Sequence, residues 1–258
     1  MEWYLYPLLI IAGILAGFIN TLAGSGSLIT LPLLMFIGLP ANVANATNRI
    51  GIFLQSAVGA ASFRHNKVFE YREGVWFALP ATFGSLIGAI AAVKLNSDVM
   101  EIIIGGLLLF MFFMVLYKPE KWISEKAGKI EGRPRFWQIV IFFLIGVYGG
   151  FIQAGVGFIL LAGLVFGAGL NLTKANALKV FIVFVYTSVA IIVFVLSRQI
   201  SYPAAFTLAF GSMIGAWLAA KFALKNGPGI VRIILLVIIL VSALKYIGAI
   251  DLFIRLFS

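Results

Sequence analysis

Residues 84–95, GSLIGAIAAVKL, recur at 211–222 as GSMIGAWLAAKF, with seven of the twelve letters identical. Both copies lie within long apolar runs of a 258-residue chain that is 62% hydrophobic and only 11% charged. A soluble domain of this size needs roughly a quarter of its residues charged to cover its surface. The chain therefore reads as a duplicated membrane protein. In such proteins the substrate site commonly lies where the two copies meet.

Apolar runs fall near 5–37, 41–62, 74–93, 99–117, 136–168, 175–196, 203–220 and 230–248, about eight in all. Most reach the roughly 20 residues that cross a hydrocarbon core as helix. They are continuous rather than short and alternating, which excludes a closed barrel and predicts an all-α, polytopic integral membrane bundle. The first run begins with Glu2 and no basic residue, so a retained helix is expected there rather than a signal peptide.

The net charge of +10 does not read as a nucleic-acid partner. Lys118, Lys121, Lys126, Lys129, Arg133 and Arg135 share one segment, and the positive-inside rule places it in the cytoplasm. The chain divides accordingly into a first transmembrane repeat at 1–117, a basic cytoplasmic linker at 118–135 and a second repeat at 136–258. Arg64, Lys67 and Arg72 mark a second cytoplasmic loop. With no cysteine and His65 as the single histidine, thiol catalysis, disulfides and thiolate or histidine-rich metal sites are excluded. No cofactor or metal is expected. The partners read from sequence are a small anion and the lipid bilayer, and a homodimer is compatible with the chain.

The halves match in order. Gly24 and Gly26 correspond to Gly155 and Gly157, Gly38-Leu39 to Gly169-Leu170, and Ala44-Asn45-Ala46 to Ala175-Asn176-Ala177, all at one offset (155 − 24 = 131). Upstream, Asn20 corresponds to Gln153 after a two-residue gap. Each half opens with a run interrupted by small and polar residues: Asn20, Gly24, Ser25, Gly26 and Ser27 in the first, Gln153, Gly155 and Gly157 in the second. Paired glycines beside amide and hydroxyl side chains weaken a helix enough to break it. The freed N–H groups must then face protein or a water-filled cavity, because lipid leaves them unsatisfied. Close helix packing is the alternative reading of the glycines. The equivalent amides Asn20 and Gln153 favour a cavity, with half-helix N-termini presenting partial positive charge to an anion.

Beyond each break a helix start is predicted, after Pro40 in the first half and near Asn171 in the second. Asn45, Asn48 and Arg49 then share one helical face, as Asn176 and Lys179 share theirs. Each half thereby offers one cation with amide neighbours at nearly the same depth. Snorkelling to the interface is the alternative for Arg49 and Lys179, and the default for Lys94 and Lys221. Glu70, Glu73, Asp98, Glu101 and Asp251 sit at run ends or in loops, so neither half-site has an acidic partner. An intramembrane cation without a fixed counter-charge is a receptor for a diffusible anion. Trp3, Tyr4, Tyr6, Trp76, Tyr117, Trp122, Trp137, Tyr202 and Tyr246 lie near run ends, as an aromatic belt does.

The segment GFINTLAGSGSLITLPLL at 17–34, followed by GLPANVANATNRIG at 38–51 and a duplicated second half, resembles the TauE/SafE family of sulfite and organosulfonate exporters, also called the toluene-sulfonate uptake permease family. The second half departs from the family pattern at Phe158 and lacks a counterpart of Pro32. What the resemblance implies is a multi-pass carrier of the bacterial inner membrane for small sulfur-containing or carboxylate anions, exporting them with proton linkage.

If each broken opening run crosses once, the repeats are parallel. If it folds back, they are inverted, and the second count obeys the positive-inside rule better. Inversion is the expectation; against it, residues 28–37 rise only about 15 Å as helix, so the returning piece must be half-length or tilted. A secondary carrier is the leading function. An anion channel or a non-transporting subunit are the alternatives, while an enzyme lacks the acid–base groups it would need inside the bilayer.

Overall fold

The structure, a computed structural model, describes residues 2–68, 71–116 and 135–223. The rest of the basic linker, the apolar run at 230–248, and Glu70, Tyr117, Trp122, Tyr246 and Asp251 lie outside the described residues. Everything regular among those described is helical. The elements are α1 (Leu5–Ala23), α2 (Ser27–Phe36), α3 (Ala41–His65), α4 (Tyr71–Val93), α5 (Ser97–Leu116), α6 (Phe136–Phe151), α7 (Val156–Ala162), α8 (Leu172–Leu196) and α9 (Tyr202–Ala223), and α7 continues through a wide turn at Gly163–Gly167.

Four of these, α1, α4 from Gly74, α8 and α9 to Phe222, are long and apolar enough to cross a membrane. Large apolar side chains face outward along the bundle, among them Phe83, Ile102, Leu144, Phe206 and Phe210, which suits a surface bathed in lipid. The 25-residue α3 is long enough as well, but it buries polar residues at Asn45, Asn48, Arg49, Gln55 and Ser56. It is an interior helix whose polar face meets protein, as intramembrane polar groups do. Its start follows Pro40, and α8 starts at the predicted Asn171, whose side chain accepts the Lys174 N–H at 2.8 Å.

Glycine contacts fix how the helices pack and which way they run. On α1, Gly13 meets Leu208 and Ser212 of α9, while Gly211 and Gly215 of α9 meet Ile10 and Ile14 of α1. These pairs advance together, so α1 and α9 are parallel. By the same reading Gly84 and Gly88 of α4 meet Phe143 and Val147 of α6, Gly146 and Gly150 of α6 meet Ala81 and Ser85, and α4 and α6 are parallel. Both contacts pair one glycine-x-x-x-glycine with another, the spacing that lets membrane helices touch backbone to backbone. The twelve-residue block repeated in sequence thus carries half of each contact.

Across the middle, Phe53 stacks on Phe184 with ring centroids 5.2 Å apart, and Gly59 faces Val180. Helices α3 and α8 are therefore antiparallel. Thr47 Oγ1 accepts the Ser201 N–H at 3.0 Å and Gly51 meets Leu208, setting α3 parallel to α9. Ser85 donates to the Tyr186 carbonyl at 3.1 Å and Gly74 meets Leu178 and Phe181, setting α4 parallel to α8. Consequently α1, α3 and α9 run one way and α4, α6 and α8 the other.

A Cβ at Gly215 would lie 2.0 Å from the Ile14 carbonyl oxygen, backbone that cannot step aside, whereas one at Gly106 would meet nothing within 4 Å. Gly215→Ala is expected to destabilise the bundle by about 1–3 kcal/mol through overpacking. Gly106→Ala should leave it unchanged or slightly firmer. Thermal unfolding of the purified variants in detergent checks the pair.

Candidate functional site

Helix α1 stops at Gly24, which takes the left-handed conformation (φ 79°, ψ 22°) and returns its N–H to the Asn20 carbonyl at 2.8 Å. This is a helix C-cap that glycine adopts without Cβ strain. The chain then folds back beside α1 into the ten-residue α2. A Cβ on Gly26 would sit 2.1 Å from the Ala16 carbonyl oxygen. Helix α6 ends in extended backbone at Ile152 (φ −138°), and Gly155 (φ 72°) turns the chain into α7. Both opening runs are thus interrupted at the glycines read from sequence.

The two interruptions touch. Gly157 donates its N–H to the Gly24 carbonyl at 3.1 Å. A Cβ on Gly24 would fall 2.3 Å from the Gly157 Cα, and one on Gly157 would fall 2.1 Å from the Gly24 Cα.

Each interruption is closed by a cation from the other half of the chain. Arg49 of α3 is 0% exposed and Lys179 of α8 is 1% exposed. Neither snorkels to an interface. Arg49 donates from one nitrogen to the Gly149 carbonyl and to Gln153 Oε1 (2.8 Å), and from the other to the Gly150 carbonyl (2.9 Å) and to Asn45 Oδ1 (3.4 Å). Its guanidinium lies 5.1 Å from the centroid of the Phe194 ring. Lys179 Nζ donates to the carbonyls of Asn20 (3.0 Å) and Thr21 (3.1 Å) and to Asn176 Oδ1 (2.6 Å). A helix C-terminus carries unpaired carbonyls and partial negative charge, so a cation is stabilised there.

The two cations do not share one depth. Because α3 and α8 are antiparallel with Phe53 opposite Phe184, Arg49 and Lys179 are separated by about 15 Å of helix rise. This corrects the expectation of a single level.

Beside the glycine contact a tight polar hollow opens, lined by Asn20, Thr21, Gly24, Gln55, Ser56, Gln153, Val156, Gly157, Lys179, Val180 and Val183. It admits on the order of one water molecule. Gln153 is held rigidly, accepting from Arg49 and donating to the Tyr186 hydroxyl at 2.6 Å. The side chains of Asn20, Thr21, Gln55 and Ser56 have no hydrogen-bond partner among the described residues and are free toward the hollow. Two amide and two hydroxyl groups therefore surround a lysine ammonium, with no carboxylate in the lining.

Of the residues predicted from sequence, Asn20, Gly24, Gln153, Gly157 and Lys179 come together at the hollow. Asn176 stands behind it as the partner of Lys179, and Arg49, itself bonded to Asn45, as the partner of Gln153. Ser25, Gly26 and Ser27 form the buried start of α2 without lining the hollow, and the two serine hydroxyls have no hydrogen-bond partner among the described residues. Asn48 accepts from Thr30 at 2.7 Å, and Gly155 packs on Met111. Thr21, Gln55 and Ser56 are the polar lining residues that sequence reasoning missed. At the repeat offset of 131, Gln55 and Ser56 meet Tyr186 and Thr187, also polar in an apolar run, and that pairing was a usable signal.

Membrane-length helices around two broken ones, meeting at a buried polar hollow, make up the architecture of a multi-pass membrane transporter. The family model for the sulfite exporter TauE/SafE matches residues 9–246, and the chain belongs to that family. It is 25% identical over 248 residues to a protein of a Sinorhizobium species named probable membrane transporter protein ORF9, spanning 96% of this chain and 94% of that one. A probable membrane transporter protein of Haemophilus influenzae is 28% identical over 233 residues, with 88% and 89% covered. The probable membrane transporter protein YfcA of Escherichia coli K12 is 26% identical over 242 residues, with 93% and 89% covered. No solved structure matches the chain.

Proposed function

We propose that the protein is a secondary carrier that moves small anions, with the hollow between the two helix breaks as its binding site. The observation that carries this reading is the lining itself: one ammonium, two free amides and two free hydroxyls, with no carboxylate. An oxyanion entering there would meet neutral amide and hydroxyl donors beside a fixed positive charge, whose own three N–H groups are already donated. The carbonyls that hold Lys179 are neutral groups, so the wall keeps a net positive charge. The family's name points to sulfite, and organosulfonates or carboxylates present the same oxygen-rich headgroup. Export, as in that name, is the proposed direction, across a bacterial inner membrane. Proton linkage would run through Lys179 or through ionisation of the substrate itself.

The mechanism follows from two homologous halves in inverted orientation, with about eight long hydrophobic segments, counting the run at 230–248, and the first segment of each half folded back at its break. Supporting this, the helices that correspond at the sequence offset run oppositely, α1 against α6, α3 against α8, and α4 against α9. Rocking of one element of each half about the Gly24–Gly157 contact would open the hollow to one side and then the other.

Anion flux into proteoliposomes tests the proposal. Saturable uptake with counterflow is expected, and ohmic currents would instead mean a channel. Gln55→Ala and Ser56→Ala are each expected to raise the half-saturation concentration about tenfold, the worth of one hydrogen bond at roughly 1.4 kcal/mol. Unchanged half-saturation in both variants would remove the hollow as the binding site.

A further inference from the structure

In a broken-helix transporter the exposed carbonyls at a half-helix C-terminus are the groups that bind a free coupling cation. Here the corresponding carbonyls of α1, those of Asn20 and Thr21, are taken by Lys179, and Asn176 Oδ1 supplies a third oxygen. The three distances, 3.0, 3.1 and 2.6 Å, are those of an ammonium donating three hydrogen bonds. Lys179 is buried, and no carboxylate pairs with it among the described residues. The tether comes from α8, so the charge reaches the end of α1 from the opposite half of the chain.

We propose that these three oxygens form a monovalent-cation site of ammonium class that the chain fills with its own side chain. The protein accordingly needs no free alkali cation to hold the end of α1, and its transport is independent of sodium and potassium. Removing the side chain while keeping the oxygens should turn a built-in cation into a soluble one. Lys179→Ala leaves the carbonyls and Asn176 in place with space for a small cation. Lys179→Met fills the same space with an apolar chain.

The test is thermal unfolding of the purified protein in ammonium, methylammonium, sodium, potassium or choline chloride at equal ionic strength, and it requires no anion transport. Lys179→Ala is expected to gain at least about 3 °C in ammonium or methylammonium over choline, through binding to the folded state alone. Wild type and Lys179→Met should not distinguish the salts, and adding Asn176→Ala to Lys179→Ala should reduce the gain. If Lys179→Ala cannot be isolated in choline, its yield as monodisperse protein is compared between salts. Recovery in ammonium or methylammonium supports the site. Equal melting in all five salts, or no recovery in any of them, overturns it. Because the readout is cation binding, its failure leaves the anion hollow standing, and failure of the flux experiment leaves this site standing.

Discussion

Arg49→Ala is expected to cost the folded protein about 3 kcal/mol or more and to lower its melting temperature by roughly 10 °C. The guanidinium satisfies the carbonyls of Gly149 and Gly150 and the amide oxygen of Gln153, all in the interior. Truncation leaves three acceptors without partners, each worth about 1–3 kcal/mol when buried. Neither lipid nor bulk water is at hand to replace the donor, and the partial negative charge at the end of α6 loses its counter-charge. Arg49→Lys keeps the charge but not the fork that reaches two successive carbonyls, so it should recover only part of the loss. Gln153 is the second casualty, since Arg49 and Tyr186 together fix its amide against the hollow. Flux should therefore fall even where the variant remains folded. The measurement is thermal unfolding in detergent beside proteoliposome flux, and melting within 2 °C of wild type would mean that the cap does not hold α6.

The positions of the breaks were legible because paired glycines next to amides and hydroxyls weaken a helix, and the alternative reading, close packing, holds as well, since Gly24 and Gly157 meet backbone to backbone. The shortness of residues 28–37 was legible too, but it was read as telling against a return, which the fold accommodates with the ten-residue α2. What Arg49 and Lys179 bind was not. Their partners are main-chain carbonyls of Gly149, Gly150, Asn20 and Thr21, and a carbonyl is present at every position whatever the letter. Read as free cations, both were assigned directly to an anion. In the fold they first close the ends of broken helices, and only Lys179 lines the hollow. The shared depth failed for a related reason: sequence offsets align residues along the chain, while antiparallel α3 and α8 place equivalent positions at opposite heights. The recurring block at 84–95 and 211–222 was read as similarity alone. Its glycines four apart have packing partners at Gly13 and Gly17 and at Gly146 and Gly150, and a scan for small residues at that spacing would have matched the helices to one another.

Gly157→Ala is expected to abolish transport while leaving the individual helices formed. The added Cβ would stand 2.1 Å from the Gly24 Cα and 2.5 Å from its carbonyl oxygen. Both atoms are backbone, so relief requires the two breaks to separate, and the Gly157 N–H bond to the Gly24 carbonyl is then lost. Gly24→Ala meets the same wall at 2.3 Å and adds the strain of a left-handed residue, about 1 kcal/mol. Gly155→Ala is the contrast: its new Cβ faces the flexible end of Met111, so only the backbone strain at φ 72° remains, and the loss should be smaller. Since Gly24 and Gly157 form one contact, their effects should not add. Once the first substitution has parted the breaks, the second finds the space already open, and the double variant should melt within about 1 kcal/mol of the worse single one. Equal additive losses, or wild-type flux in Gly157→Ala, would mean that the contact between the breaks is incidental and that the moving parts pivot elsewhere.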